Sequence, residues 1–419
     1  MGEQITLEDC LARASRPRTV VSFAGIGGTC VGLARAGLAP QHAINHSPIA
    51  LAIHAANHPW CHHHIEDVYK VEPIRGTDFF WLSPDCTHHS KAKGGKPKSG
   101  KSRALANVAP WWGERAAPAV IGLENVEEFA DWGPLDAEGY PIKCRKGELF
   151  KRWVKRLERA GYRVEWNVLR ACDFGAPTVR KRLYLVARRD GLRTEWPRAT
   201  HGPGLLPYRS ARECIDWSIP IPSIFDRAKP HVEATHRRIA AGLEKFGAAH
   251  LIQRGQGERI GQAPRCMSLD RPLNTVMAEG VKHGIVVAWV AKHFGGKSSP
   301  GSSLDAPLGT VTTRDHNALV VGRKDTSSER RAQTRAWLDR YVGPGRFTEI
   351  EDIGMRNLAP RELARAMGFP DSYVLDPVVN GKRIGGTAQV RGIGNGCCPD
   401  VIEALARSWV PNLVERKAA

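Results

Sequence analysis

The chain has 419 residues, more than one ordinary domain, so one large and one smaller domain are expected. Lys and Arg outnumber Asp and Glu by 61 to 43, and the formal charge of +18 is typical of a protein that meets a polyanion, although a generally basic proteome gives the same excess. The opening "MGEQITLEDC" has no apolar core of a signal peptide, and no run approaches the roughly 18 apolar residues of a membrane span, so we expect a cytoplasmic protein. The ten cysteines include no CxxC pair, which favours reduced thiols over a disulfide framework or a zinc ribbon.

The first half of the chain alternates between strand and helix patterns. The run "TVVSF" (19–23) predicts a strand, "AGIGGTC" a glycine turn, and "VGLARAGL" a helix that ends at Gly37. In "GELFKRWVKRLERAG", Leu149, Phe150, Trp153, Val154 and Leu157 share one face of an amphipathic helix. Further strands are predicted at 42–45, 78–82, 119–123, 162–169 and 182–187. The alternation predicts an α/β fold with a largely parallel sheet covered by helices on both faces.

This pattern stops near residue 195, where Pro and Gly begin to interrupt short segments. Within the interrupted region, "SLDRPLNTV" (268–276) and "SLDAPLGTV" (303–311) agree at seven of nine positions, which indicates a duplicated turn-and-strand unit. The amphipathic runs "PRELARAMGF" and "CPDVIEALARSW" then predict helices that return to the first domain. The predicted domains are therefore 1–195 plus 350–419, and 196–349.

The stretch "FFWLSPDCTHHSKAKGG" ends a hydrophobic run on Cys86 and continues into a cationic segment. A cysteine chosen blindly is more often a small core residue than a nucleophile. The following "KAKGGKPKSGKSR" is either a solvated linker or, as we favour, a flexible loop that closes over a DNA backbone. Its six cations are Lys91, Lys93, Lys96, Lys98, Lys101 and Arg103.

Two other motifs invite a ligand. The turn "GIGGTC" lacks the third glycine of a dinucleotide fingerprint, but its glycines still let the backbone approach a ligand carboxylate or phosphate at a helix N-terminus. In "CHHHIEDV", Cys61 and three histidines invite a metal site. Since consecutive residues point in different directions, we favour a surface or DNA-facing cluster over zinc and predict no metal.

Six stretches together carry a family resemblance. They are "FAGIGGTCVGLARAGL", the cysteine in "SPDC", "GLENVEEF", "DFGAPTVRKRLYLVARR", "RNLAPRELARAMGFP" and "RGIGNGCCPD". Their content and order resemble the motif set of the DNA cytosine-5 methyltransferases. The resemblance implies a Rossmann-like, S-adenosylmethionine-dependent methyltransferase domain, with a smaller target-recognition domain inserted before the last motifs.

The resemblance also implies a covalent mechanism. Cys86 matches the thiolate that adds to C6 of cytosine and makes C5 nucleophilic. Glu124 of "ENV" matches the acid that faces N3 and carries a proton at least transiently; a helix cap is the alternative role. Arg182 matches the arginine that holds the base's O2, and Arg180 its structural companion, although an ordinary basic strand entrance gives the same letters.

Cofactor residues follow from the same resemblance. Phe23 matches the aromatic that packs on adenine, Asp67 the acid that accepts from the adenine amino group, and Asn45 stands where an acid commonly holds the ribose hydroxyls. The complete predicted set is Phe23, Gly25, Gly27, Asn45, Asp67, Pro84 and Asn395.

Some positions depart from the family pattern. Asp85 and Thr87 flank Cys86 where Pro and Gln are usual, and an adjacent carboxylate opposes thiolate formation. Thr178 and Gly392 replace two further glutamines.

The expected substrate is a cytosine flipped out of double-stranded DNA by a monomeric protein at the bacterial nucleoid, with a restriction endonuclease left open as a partner. A tRNA cytosine-5 methyltransferase and a catalytically silent DNA-binding relative are the alternatives.

Overall fold

The computed structural model describes residues 17–90, 98–247, 249–254, 261–278, 280, 282–290, 327–348 and 350–411. The chain forms two compact units. The first comprises Met1–Cys214, Arg271–Gly280 and Ala359–Ala419, and the second comprises Ile215–Asp270 and Val281–Leu358. No helix in the described ranges has the length and apolarity to cross a membrane.

The first unit is built on a seven-stranded sheet. Its strands are β1 (Thr19–Ser22), β2 (His42–Ile44), β3 (His62–His64), β4 (Phe79–Leu82), β5 (Val120–Asn125), β6 (Arg163–Arg170) and β7 (Lys181–Arg188). Their order is β3-β2-β1-β4-β5-β7-β6, and all neighbours pair in parallel except that β7 runs antiparallel to both β5 and β6. The predicted α/β class and largely parallel sheet are confirmed.

The helices of this unit cover the sheet. They are α1 (Gly28–Arg35), α2 (Pro48–Asn57), α3 (Gly100–Ala104), α4 (Val108–Arg115), α5 (Glu148–Arg159), α8 (Pro360–Ala366), α9 (Gly386–Asn395) and α10 (Pro399–Trp409). A short hairpin of β12 (Val378–Val379) and β13 (Lys382–Arg383) precedes α9. The apolar face predicted for α5 is confirmed, since Phe150, Trp153, Val154 and Leu157 are buried and Leu149 is partly buried against the same core.

Burial explains why the central strands form. Every residue of β1, β4 and β5 is buried, as expected for parallel strands that are covered on both faces. The chain order reverses between β1 and β4, which lie side by side. In open α/β sheets ligands bind at such a reversal, outside the carboxyl ends of the strands. The turn after β1 and the cysteine loop after β4 both start there.

The second unit has its own sheet and core. Strands β8 (Ala249–Gln253), β9 (Cys266–Met267), β10 (His283–Val290) and β11 (Ile350–Asn357) pair antiparallel in the order β11-β10-β8-β9. Helices α6 (Glu233–Phe246) and α7 (Ser328–Tyr341) complete the unit. Ile239, Leu243, Ile252, Val286 and Leu338 are at most 1% exposed and form its core.

The observed unit boundaries differ from the predicted ones. Residues 196–214 and 271–280 belong to the first unit, and 350–358 to the second. The physical reason is pairing: Ile350–Asn357 completes the second sheet, while Leu273 exchanges backbone hydrogen bonds with Val179 and Pro177. The first copy of the predicted repeat thus ends inside the first unit. The second copy, 303–311, lies outside the described residues.

Candidate active site

The loop after β4 carries Cys86 at the end of a buried strand. Pro84 is buried, and the side-chain amide of Asn125 donates to its carbonyl over 3.1 Å. The Cys86 carbonyl accepts from the backbone amides of His89 and Ser90 at 3.0 and 2.9 Å. These bonds fix the loop on both sides of a thiol that is partly exposed.

The carboxylate of Asp85 also belongs to this loop. Its Oδ1 accepts from the Thr87 amide at 2.9 Å and from the Thr87 hydroxyl at 2.7 Å. Asp85 and Thr87 therefore form a side-chain turn around Cys86. The two residues that depart from the family pattern are therefore hydrogen-bonded to each other.

The charges around Cys86 act in opposite directions. Burial raises the pKa of the Cys86 thiol, Arg182 opposes this most strongly, and Glu124 and Asp85 raise the pKa further. The pKa of the thiol is raised overall, so the resting group is a thiol whose ionisation depends on Arg182.

Glu124 connects the cysteine to two arginines. Its Oε1 lies 3.2 Å from Arg182 Nε and 3.8 Å from Arg180 Nη2, and all three side chains are largely buried. Arg180 Nη1 also donates to the carbonyls of Gly394 at 3.1 Å and Val276 at 3.4 Å. Arg180 is thus held by three separate chain segments. Within the described residues, the hydrogen bond of Arg182 Nη1 goes to the backbone carbonyl of its neighbour, Lys181.

Strand direction explains how these residues meet. Glu124 follows the ordinary arrangement of a polar residue near the carboxyl end of a parallel strand. Arg182 lies near the start of β7, but β7 is reversed, and Tyr184 pairs with Glu124. The start of β7 therefore reaches the edge of the sheet where β4 and β5 end.

The turn after β1 has space for a ligand on one side. Phe23 and Gly25 have positive φ angles of 56° and 57°, and a Cβ on Gly25 would meet only the Phe23 carbonyl oxygen, at 3.9 Å. The carboxyl ends of β2 and β3 lie beside this turn, since the order is β3-β2-β1. The space at Gly25 and the polar side chains that follow the neighbouring strands fit a cofactor with an amino-acid part and a nucleoside part.

Packing inside the first unit requires a glycine at position 27. A Cβ on Gly27 would lie 2.4 Å from the Tyr373 hydroxyl and 2.8 Å from His58 Nε2. The Tyr373 hydroxyl donates to the Ile26 carbonyl and contacts His58 Nε2 at 3.2 Å. The positive φ of 105° and this packing both favour glycine here, and its role towards a cofactor stays a prediction.

Among the remaining predicted cofactor residues, Asn45 and Asp67 keep free hydrogen-bonding capacity. Asn45 Oδ1 accepts from the Ser47 amide at 2.9 Å, which leaves its NH₂ group to donate. Asp67 is exposed, and one of its oxygens accepts from the Tyr69 amide at 2.9 Å. Asn395 is exposed at the end of α9, whose Gly392 lies against Ile26 of the glycine turn.

The cationic segment is only partly described. Lys91, Lys93 and Lys96 lie outside the described residues. Lys98 Nζ donates to the His89 carbonyl at 2.9 Å, and Lys101 is exposed. Arg103 is only 4% exposed, so its side chain is not available to a DNA backbone in this conformation.

The histidines of "CHHHIEDV" form β3, an edge strand that the sequence pattern missed. His63 Nε2 contacts His54 Nδ1 at 2.8 Å, while His64 Nε2 contacts His42 Nδ1 at 3.2 Å. Because successive strand residues point to opposite faces, His63 diverges from its neighbours, whereas His62 and His64 share a face with 4.4 Å between their ring centroids. Within the described ranges no group of three or more His, Cys, Asp or Glu side chains could hold a metal ion.

Two positioning residues were absent from the sequence interpretation. Asn125 holds Pro84, and Tyr373 holds the glycine turn. A buried polar side chain at the end of an apolar strand needs a hydrogen-bond partner, so the run "GLEN" could have indicated a positioning role for Asn125. No local pattern connects Tyr373 with Ile26, which lies 347 residues earlier.

Comparison with known proteins agrees with this geometry. A model of the C-5 cytosine-specific DNA methylases matches residues 19–410, and the chain therefore belongs to that family. The type II methyltransferase M.AgeI of Thalassovita gelatinovora is 27% identical over 198 residues, which are 45% of this chain and 43% of that protein. DNA (cytosine-5)-methyltransferase 1A of Oryza sativa subsp. japonica is 24% identical over 96% of this chain and 28% of its own length. The matches thus span less than half of these relatives.

Solved structures share the fold. A DNMT2 mutant of Spodoptera frugiperda superposes with a TM-score of 0.55 at 15% identity over 93% of this chain and 98% of that one. Dnmt2 of S. pombe gives a TM-score of 0.54 at 17% identity over 95% and 99%. At such identities the likeness concerns the fold alone.

Proposed function

We propose that this protein is a DNA (cytosine-5-)-methyltransferase that uses S-adenosylmethionine and acts on duplex DNA through a covalent adduct of Cys86. The observation that carries the proposal is the convergence of Cys86, Glu124 and Arg182, from three strands, at one edge of the sheet. Membership of the C-5 cytosine-specific DNA methylase family and the names of the type II relatives support it.

The proposed chemistry starts from an unreactive carbon. Cytosine C5 becomes nucleophilic when the Cys86 thiolate adds to C6 and the displaced electron pair moves towards N3 and O2. Glu124 would hold a proton at N3, and Arg182 would stabilise O2. C5 would then bond to the methyl group that the cofactor supplies, with the sulfonium sulfur leaving as a neutral thioether. Loss of the C5 proton to solvent and of the thiolate from C6 would restore the aromatic ring. Arg182 would serve twice, since it also opposes the rise in the pKa of Cys86.

The cofactor, when bound, supplies an electrophilic methyl group. We assign its adenosine to Phe23, Asn45 and Asp67, and its amino-acid part to the backbone at Gly25. Gly27, Pro84 and Asn395 would complete the site. The open space at Gly25 and the unused NH₂ of Asn45 support this assignment.

The substrate would be a base that is extruded from the duplex, because the C6 atom of a stacked cytosine is not accessible to a thiolate. Extrusion costs a few kcal/mol, which phosphate contacts can offset in a protein with a formal charge of +18. Relatives named as type II methyltransferases also support a restriction endonuclease as a partner in the cell.

The deciding test is Cys86→Ser, with Cys144→Ser as the matched control because Cys144 is exposed and lies outside the site. Methyl transfer from labelled cofactor to duplex DNA should disappear in the first variant and persist in the second. A duplex containing 5-fluorocytosine should trap the wild-type and Cys144→Ser proteins covalently but not Cys86→Ser. Normal turnover by Cys86→Ser would overturn the assignment, and Cys61 would then be tested.

The nucleic acid is decided by a parallel assay on tRNA. Labelling of duplex DNA with no labelling of tRNA is expected. Labelling of tRNA but not of duplex DNA would make tRNA the substrate and leave the proposed chemistry unchanged. DNA binding without the cofactor and without any methyl transfer would identify a catalytically silent DNA-binding protein.

A further inference from the structure

A cavity of about 470 Å³ lies in the first unit, between α3, the segment after the 3-10 turn Glu127–Asp131, and α5. The lining residues that matter here are Gly100, Arg103, Trp132, Leu135, Leu149 and Trp153. None of the residues assigned to catalysis or to the cofactor lines it. Its volume is in the range of small-molecule sites.

Arg103 gives the cavity an uncompensated charge. Its side chain is only 4% exposed, and its Nε is buried without a hydrogen-bond partner. Among the residues that the structure describes, no carboxylate or carbonyl group pairs with this guanidinium, and the nearby His89 adds no negative charge. Burying an unpaired cation is costly, so a binding partner is expected in the adjoining space.

The other two arginines at this cavity differ in this respect. Arg156 forms a two-point ion pair with Glu114 at 2.6 and 2.7 Å. Arg152 contacts Glu148 at 2.5 Å and is well exposed. Arg103 is therefore the buried cation that an anion in the cavity would meet.

The walls are apolar. Trp153 uses its indole N–H to donate to the Ala106 carbonyl at 2.9 Å, which leaves its ring for apolar contact. Trp132, Leu135 and Leu149 add further apolar surface. A ligand with an anionic group and a flat or aliphatic body would satisfy both the charge and the walls.

We propose that this cavity binds a small amphipathic anion, with a carboxylate or phosphate on Arg103 and an apolar body between Trp132 and Trp153. The site is separate from the proposed methyl-transfer site and does not depend on the proposed function. It lies one side chain from the Cys86 loop, since Trp132 packs edge-on against His89 with 5.6 Å between ring centroids.

The test uses two probes of one shape. Fluorescence titration with 1-anilinonaphthalene-8-sulfonate, a flat apolar anion, is compared with uncharged N-phenyl-1-naphthylamine. Arg103→Met removes the charge and keeps the bulk, so it should weaken anion binding about tenfold or more and leave the neutral probe nearly unchanged, as expected when a charge-assisted hydrogen bond is removed. Arg152→Met, at the exposed rim, should change neither titration by more than about twofold.

Two further measurements keep the proposal open to refutation. Gly100→Leu, at a lining position where a Cβ meets nothing within 4 Å, should weaken both probes by filling space. Without ligand, Arg103→Met should melt at or above the wild-type temperature, because it removes an unpaired buried charge.

Competition by 1-naphthyl phosphate and 1-naphthoate then distinguishes the two anion classes, and displacement by either supports the site. Equal anion binding by wild-type and Arg103→Met proteins, or no displacement by either competitor, would overturn it. A melting temperature for Arg103→Met well below wild type would also overturn it, since it would mean that Arg103 has a structural partner.

Discussion

At the scale of single residues, Asp85 both shapes the Cys86 loop and opposes thiolate formation. Asp85→Asn keeps an oxygen that can accept from Thr87 while it removes the charge. Because Asp85 raises the pKa of Cys86, its neutralisation should lower that pKa, increase the thiolate fraction at neutral pH, and speed alkylation of Cys86. The pH dependence of iodoacetamide labelling at Cys86, followed by mass spectrometry, should move to lower pH. Asp85→Ala, which also removes the acceptor, separates charge from turn geometry.

Arg182 should have the opposite effect on the same measurement. It is the strongest influence against the raised pKa of Cys86, so Arg182→Gln should raise the pKa further and move the labelling curve to higher pH. Methylation should fall by at least about tenfold at neutral pH, since the variant lacks both the support for the thiolate and the stabilisation of O2. Lys181→Gln is the matched control, because Lys181 is more than half exposed and pairs with Glu127. If the labelling curve of Arg182→Gln coincided with that of wild type, Arg182 would have no influence on the thiol.

At the scale of elements, the 271–278 segment packs against α9. A Cβ on Gly394 would lie 2.3 Å from the backbone of Met277 and Ala278. Gly394→Ala should therefore push the segment away and disturb the Val276 carbonyl that accepts from Arg180. We expect a decrease of about 1 to 3 kcal/mol in the free energy of unfolding, as for other overpacked sites, and a fall in kcat larger than any change in KM for DNA.

The control for this variant is Gly386→Ala in the same helix. There a Cβ meets only Pro360, at 3.7 Å, so neither stability nor kcat should fall. Equal kinetics for the two variants would mean that the segment does not position Arg180.

Some secondary-structure elements could be predicted from the sequence and others could not. The strands β1, β4 and β5 were predictable because their apolar runs are buried on both faces. The edge strand β3 was not, since three histidines carry no periodic apolar signal. The family motifs indicated Cys86, Glu124 and Arg182, which local strand ends bring together. The packing of Gly27 against Tyr373, the burial of Arg103 and the return of residues 271–280 to the first unit depend on contacts between distant segments, which local patterns do not encode.

At the scale of the whole molecule, the charge of +18 predicts salt-dependent DNA binding. Removing one cation that neutralises a phosphate should flatten the slope of log affinity against log salt by about 0.9. Lys101→Gln should therefore flatten the slope by about that amount, because Lys101 is exposed. Arg103→Met should leave the slope unchanged, because Arg103 is buried. An unchanged slope for Lys101→Gln would assign the segment that contains it to a solvated linker.

We further propose that the second unit reads the target sequence. Exchange of 215–270 and 281–358 for those of a relative, with 271–280 retained, should change the methylated sequence and preserve turnover. Exchange of 200–340 as one block should reduce turnover, since it replaces the residues that contact Val179 and Arg180. Sequencing of 5-methylcytosine in DNA from expressing cells reports both outcomes. Specificity that stayed with the first unit in the retained-segment chimera would contradict this division of labour.

The bond from Arg180 to the Gly394 carbonyl spans 214 residues, and it bears on synthesis in the cell. A ribosome adds roughly 5 to 20 residues per second, so about 10 to 40 s separate the emergence of these two partners. During that interval a nascent chain can form β1 to β7 and expose Cys86, yet it lacks the carbonyl that anchors the arginine beside Glu124. Chains that are released early, or stalled before α9, would therefore be unable to modify DNA, and methylating capacity would appear only with completed molecules.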